Sequence, residues 1–118
     1  MKPHLLLVRD GLNGAAPWIT QILHDAGLNV RTISSDELAG APPADVVLLR
    51  FQTRDPQETV WSLHRQGHRS VVAVSGSPTG SECIKLLNAG ADYYLGAWLP
   101  PAEFVARVRV VLRFSNWL

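Results

Sequence analysis

A doubly wound α/β fold, one parallel sheet with helices on both faces, is what this chain predicts. Three observations carry the expectation. Short apolar runs alternate with segments of helical periodicity, the links between them are short, and most of the runs are apolar without interruption. At 118 residues the chain matches one ordinary domain, so a single unit over 1–118 is expected. Residues of the AVILMFWYC set make up 47% of it, enough to bury one core without disulfides or metals.

The elements follow in order. His4–Val8 reads as a strand buried on both faces, ending at Arg9-Asp10. A turn around Gly11, Asn13 and Gly14 leads to Pro17, suited to the first turn of a helix. Ala15, Ile19, Ile22 and Ala26 recur at helical spacing, and Gly27 closes that helix. Residues 29–34 alternate as a second strand. Residues 35–38 form a short Ser-capped helix, broken by 41–43. DVVLLRF over 45–51 is the strongest strand signal, and a helix runs from after Asp55-Pro56 to about Gln66, with Val60 and Leu63 inward. SVVAVS over 70–75 is a strand, 76–80 a loop, 81–88 a helix ending at Ala89-Gly90, and DYYLG over 92–96 a strand. Pro100-Pro101 opens the last helix, with Phe104, Val108, Val111 and Leu112 on one stripe.

Five β–α pairs of this size are most economically arranged as a flavodoxin-like sheet of order 2-1-3-4-5. Ligands of such sheets sit at the carboxyl ends of the strands. Arg9, Asp10, Arg50, Ser75 and the segment after Leu95 are therefore the candidate site residues.

Several classes are disfavoured. Lys+Arg 11 against Asp+Glu 10 leaves a net charge of +1, unlike a nucleic-acid surface built on massed basic residues. The lone Cys83 excludes a disulfide framework and a multi-cysteine metal site, and it suits a reducing cytosol. No apolar run approaches the roughly 20 residues of a membrane span. His4, His24, His64 and His68 show no metal-ligand clustering, so no metal or cofactor site is expected. G-L-N-G after Asp10 is a turn rather than a dinucleotide fingerprint, and no nucleophile with its base is visible, so no enzymatic activity is expected. The expectation is a soluble cytoplasmic domain.

LLLVRDG after the first strand, ADVVLLR at the third, VVAVSG at the fourth, NAGADYYL and PAEFVARVRVVLR together carry a resemblance. The chain resembles the CheY-like receiver domains of response regulators along nearly its whole length. AGADYYL followed by an E-x-x-A-R-V-R helix resembles the OmpR-type subgroup, whose receivers precede a winged-helix DNA-binding domain. The resemblance implies a phosphorylation site of five groups. Two carboxylates after the first strand and an acceptor Asp ending the third bind Mg²⁺, while a Ser/Thr and a Lys hold the phosphoryl oxygens. Here the pair reads Arg9-Asp10, the acceptor position is Arg50, Ser75 keeps its hydroxyl, and the Lys position is Ala97. Arg50 cannot accept a phosphoryl group and stays protonated. The site is thus read as vestigial, in a pseudo-receiver that signals without phosphorylation. An unpaired, partly buried guanidinium costs several kcal/mol, so an Arg50–Asp10 ion pair is expected where the metal would lie.

The same resemblance makes Ser75 and Tyr94 the Ser–aromatic switch pair; the plain alternative is a capping hydroxyl and a half-buried ring. Counting the segment 35–38 as helix 2, it also implies a homodimer through helix 4, strand 5 and helix 5. Ile84, Leu87 and Val105 would form its apolar patch, with Asp92, Arg107 and Arg109 among its charges and Glu103 beside them. Cys83, Leu86 and Ala89 would face the core. A second stripe on the last helix, Ala106, Val110, Phe114 and Trp117, suggests a further buried face. DNA would be met only through an effector domain after Leu118. The alternative function is a docking adaptor or a small-molecule sensor, with Trp98, Arg9 and Arg50 holding an anionic aromatic ligand.

Overall fold

The computed structural model describes residues 3–10, 17–51 and 57–115, with Asp10 described by its backbone alone. The Gly11–Gly14 turn, Ala15, the Asp55-Pro56 start and Trp117 lie outside the described residues. Chain order is β1 (Leu5–Asp10), α1 (Pro17–Asp25), β2 (Val30–Ser34), a 3-10 helix (Ser35–Gly40) and β3 (Val46–Phe51). α2 (Gln57–Arg65), β4 (Ser70–Ser75), α3 (Gly80–Asn88), β5 (Tyr93–Gly96) and α4 (Pro101–Ser115) follow. The strands are parallel and form one sheet of order β2-β1-β3-β4-β5, the predicted topology.

Strand periodicity divides the core between the two faces. Leu5 and Leu7 of β1, Val46 and Leu48 of β3, and Val72 and Val74 of β4 pack with Ile19 and Leu23 of α1 and with Phe104, Val108 and Leu112 of α4. The alternate residues Leu6, Val8, Val47, Leu49, Val71 and Ala73 pack with Val60 and Leu63 of α2 and Leu86 of α3. Because β1 and β3 are covered on both faces, their sequences read as unbroken apolar runs.

Boundaries differ from expectation where edge residues pair. β1 runs on through Arg9 and Asp10 rather than ending at Val8, because both positions keep partners on β3. Residues 35–40 coil more tightly than an α-helix, entered at Ser34, whose amide and hydroxyl both donate to the Glu37 carboxylate. α2 stops at Arg65, and Gly67 turns the chain with φ +92°, a conformation glycine adopts without strain. His64 and His68 therefore part. The His64 ring Nε2 lies 2.6 Å from the Gly90 carbonyl and 3.4 Å from the Asp92 carboxylate. His68 is buried, and its Nδ1 accepts from the Ala44 amide at 3.0 Å. No group of His, Cys, Asp or Glu capable of holding a metal occurs among the described residues. None of their helices is long and apolar enough to cross a membrane.

Candidate functional site

The register brings Arg9 of β1 and Arg50 of β3 side by side at the carboxyl edge, with Asp10 opposite Phe51. Arg50 is half-buried, and its Nη1 donates to the Phe51 carbonyl at 2.9 Å. Its head lies against Gly76 just past β4, where a Cβ would stand 3.1 Å from Nη2. Gly76 thus leaves room for a guanidinium to lie over the backbone. The Nε atoms of Arg50 and Arg9 are both buried without a hydrogen-bond partner among the described residues. The carboxylate of Asp10, the expected partner of Arg50, lies outside the described residues. Hydrogen bonds from Ser34 hold the Glu37 carboxyl below the usual range, and the charges of Arg31 and then Arg9 add to the effect.

Ser75 is buried at the end of β4, and its Oγ accepts from the Ser77 amide at 3.2 Å, a loop-capping contact. Ala97 is fully buried, and its amide donates to the Ser75 carbonyl at 2.7 Å, tying the exit of β5 to β4. A methyl group there supplies no cation to the edge. Trp98 beside it is 74% exposed yet fixed: Nε1 donates to the Gly76 carbonyl at 3.0 Å. The indole stacks on Trp18 with centroids 5.8 Å apart at 18°, and Trp18 meets Phe104 edge-on at 6.2 Å. Trp98 therefore lies as a slab on the surface instead of plugging the interior.

Tyr94 is half-buried against the α2–α3 side of the core. Its hydroxyl donates to the Glu82 carboxylate and accepts from the Thr79 amide at 3.2 Å, while Thr79 Oγ1 caps α3 by accepting from the Glu82 amide at 3.1 Å. In a reciprocal capping box the Glu82 carboxylate would take the Thr79 amide itself; here the phenol is interposed. Burial first, then the bond to Glu82, push the Tyr94 hydroxyl above its ordinary range, with the Ser75 hydroxyl acting in the opposite sense. Glu82 was not among the residues singled out from sequence. T-G-S-E over 79–82 was the available signal, an N-cap followed three residues on by an acid.

Arg50, Ser75, Ser77, Glu82 and Trp98 border one open cleft of about 570 Å³ at this edge.

The residues expected to form a dimer face separate into two groups. Ile84 and Leu87 project from α3 with 63% and 43% exposure, whereas Leu86 and Ala89 are buried and Cys83 is half-buried. Arg107 of α4 joins their side: Nη1 donates to the Tyr93 hydroxyl at 2.9 Å and Nε to Glu103 at 3.1 Å. The exposed Phe114 and half-buried Val110 border a groove with Tyr93 and Asp92. Asp92 is engaged within the chain, accepting from the Val71 amide at 2.7 Å besides meeting His64. Val105 and Arg109, expected on this face, lie on the α1 side of α4 instead. Val105 is buried in the α1–α4 side of the core, and both residues border a groove against Ile22 and Ala26. Arg109 donates to the Ala26 carbonyl at 3.0 Å, just past α1. A helix turns about 100° per residue, so positions two beyond or two before Arg107 face away from it. Ala106 is the exposed small residue between them.

No protein-family model and no curated protein matches the chain. Solved structures do. The BeF3-activated DrrB receiver domain is similar at TM-score 0.77 and 21% identity, covering 96% of this chain and 99% of that one. A CheY-like response regulator receiver domain protein from Methanospirillum hungatei gives 0.76 and 22%, covering 98% of each. The BeF3-activated N-terminal receiver domain of Klebsiella pneumoniae RstA gives 0.76 and 24%, covering 93% of this chain and 98% of that one. At such identities the likeness is one of architecture: the chain has the CheY-like receiver fold.

Proposed function

We propose that this chain is a receiver-type signalling module that works without aspartyl phosphorylation, acting as a homodimer in transcription regulation. The carrying observation is the pairing of Arg9 with Arg50 at the carboxyl edge. Phosphoryl transfer to a receiver needs an acceptor carboxylate and a bound Mg²⁺ there. Two guanidinium groups in adjacent register repel the metal, and neither can serve as the acceptor. Ala97 offers no ammonium to a phosphoryl oxygen. Arg9, Asp10, Arg50, Ser75 and Ala97 are on this reading the remnant of the site, and the module catalyses nothing.

The dimer would form through α3, β5 and α4. Ile84, Leu87 and Phe114 supply exposed apolar surface, and Arg107, Glu103 and Tyr93 surround it with polar groups, the composition of an interface core and rim. Surface ion pairs contribute only ~0–1 kcal/mol each, so the apolar residues would set the affinity. Pairing would bring together two effector domains that read DNA, carried beyond Leu118 in the cytoplasm. With the phosphate switch removed, output would follow protein concentration, a partner or a ligand.

Incubation with acetyl phosphate and Mg²⁺ should add no phosphoryl mass, and sedimentation should give the same dimer with and without the donor. A dimer that needs the donor, or beryllofluoride and Mg²⁺ bound beside Arg50, overturns the reading.

A further inference from the structure

We propose that the cleft beside Arg50 binds a small planar carboxylate, with its acid group on the Arg50 guanidinium and its ring against Trp98. The cleft is about 570 Å³, within the roughly 300–1,000 Å³ usual for small-molecule sites. Its cationic wall is the Arg50 guanidinium. Among the described residues Arg50 has the Phe51 carbonyl on Nη1, while Nε is buried without a partner. Arg9 stands beside it in register with its own Nε in the same condition. A partly desolvated guanidinium in the wall favours an anion, and its planar fork matches a carboxylate in a bidentate manner.

The aromatic wall is built in advance. Trp98 keeps 74% of its surface exposed while its nitrogen is held by Gly76 and its ring is stacked on Trp18. An indole already fixed loses little side-chain entropy when a second ring stacks on it. Arg50 and Trp98 share Gly76 as their support, so cation and ring sit on one stretch of backbone. Glu82 sets the limit on charge. Its carboxylate borders the same cleft, and like-charge repulsion disfavours a multiply charged anion such as phosphate. A monoanion with an aromatic body satisfies all three walls. Binding there does not require that the chain dimerise.

Isothermal titration and thermal shift with three probes test the assignment: 2-naphthoate (ring and acid), 2-naphthol (ring alone) and inorganic phosphate (charge alone). 2-Naphthoate should bind most tightly and raise the melting temperature. Arg50→Met and Trp98→Ala should each weaken it by about ten-fold or more, and Trp61→Ala on α2 should leave it unchanged. Trp98 is exposed, so its variant keeps the readout should Arg50→Met fail to fold. No heat or shift with 2-naphthoate, phosphate binding as tightly as 2-naphthoate, or unchanged binding in Trp98→Ala overturns the proposal.

Discussion

The Tyr94 hydroxyl sits between the Thr79 amide and the Glu82 carboxylate, accepting from the first at 3.2 Å and donating to the second. An aromatic ring of β5 is thereby stitched into the cap of α3. The ring is thus tied to the start of the helix that carries Ile84 and Leu87.

Tyr94→Phe keeps the ring and deletes both hydrogen bonds. A loss of about 1–2 kcal/mol in urea unfolding is expected, since the Thr79 amide and the carboxylate lose a shared partner. Tyr94 should also form phenolate only above the ordinary range near 10, because burial and Glu82 disfavour the anion. Ultraviolet titration of Glu82→Gln should move that transition down.

Arg50 and Gly76 should be energetically coupled. Gly76→Ala places a methyl 3.1 Å from Arg50 Nη2, so the guanidinium must shift. A cost of about 0.5–1 kcal/mol is expected in the parent chain and none in Arg50→Ala, which itself loses the bond to the Phe51 carbonyl. A double-mutant cycle by thermal melting measures the coupling; strict additivity would refute the contact.

His68 should make the fold acid-sensitive. Burial first, then the nearby His64, hold its pKa below the ordinary 6.5. The folded ring is neutral, and its Nδ1 accepts from Ala44. The unfolded chain binds the proton first, so stability is full above about 6.5 and declines as pH falls toward the lowered folded value. Urea midpoints at pH 7.5 and 5.5 should differ, and the difference should shrink in His68→Gln.

Glutamate substitutions should sort the proposed face from the core. Ile84→Glu and Leu87→Glu alter exposed positions and should leave melting nearly unchanged while shifting sedimentation toward monomer. Val105→Glu puts a carboxylate into the α1–α4 side of the core and should unfold the domain before its association can be read. Phe104→Ala, fully buried, should cost about 3–5 kcal/mol.

Topology was legible in the linear chain because β1, β3 and β4 are covered on both faces and spell unbroken apolar runs. So was the positive charge at the edge, because a residue's type at the end of a strand needs no geometry to be read: Arg50 is a guanidinium in any conformation. Side-chain direction was legible on α3, where Ile84 and Leu87 are exposed and Leu86 and Ala89 buried, but not for two residues of α4. Val105 and Arg109 fit the face by residue type, but the 100° step of α4 turns them to α1, where Arg109 finds the Ala26 carbonyl. The contacts of Glu82 with Tyr94, of Gly76 with Trp98 and of Arg50 with Gly76 join residues 12, 22 and 26 positions apart. Such contacts depend on how the strands stack at one edge, and local periodicity carries no record of them.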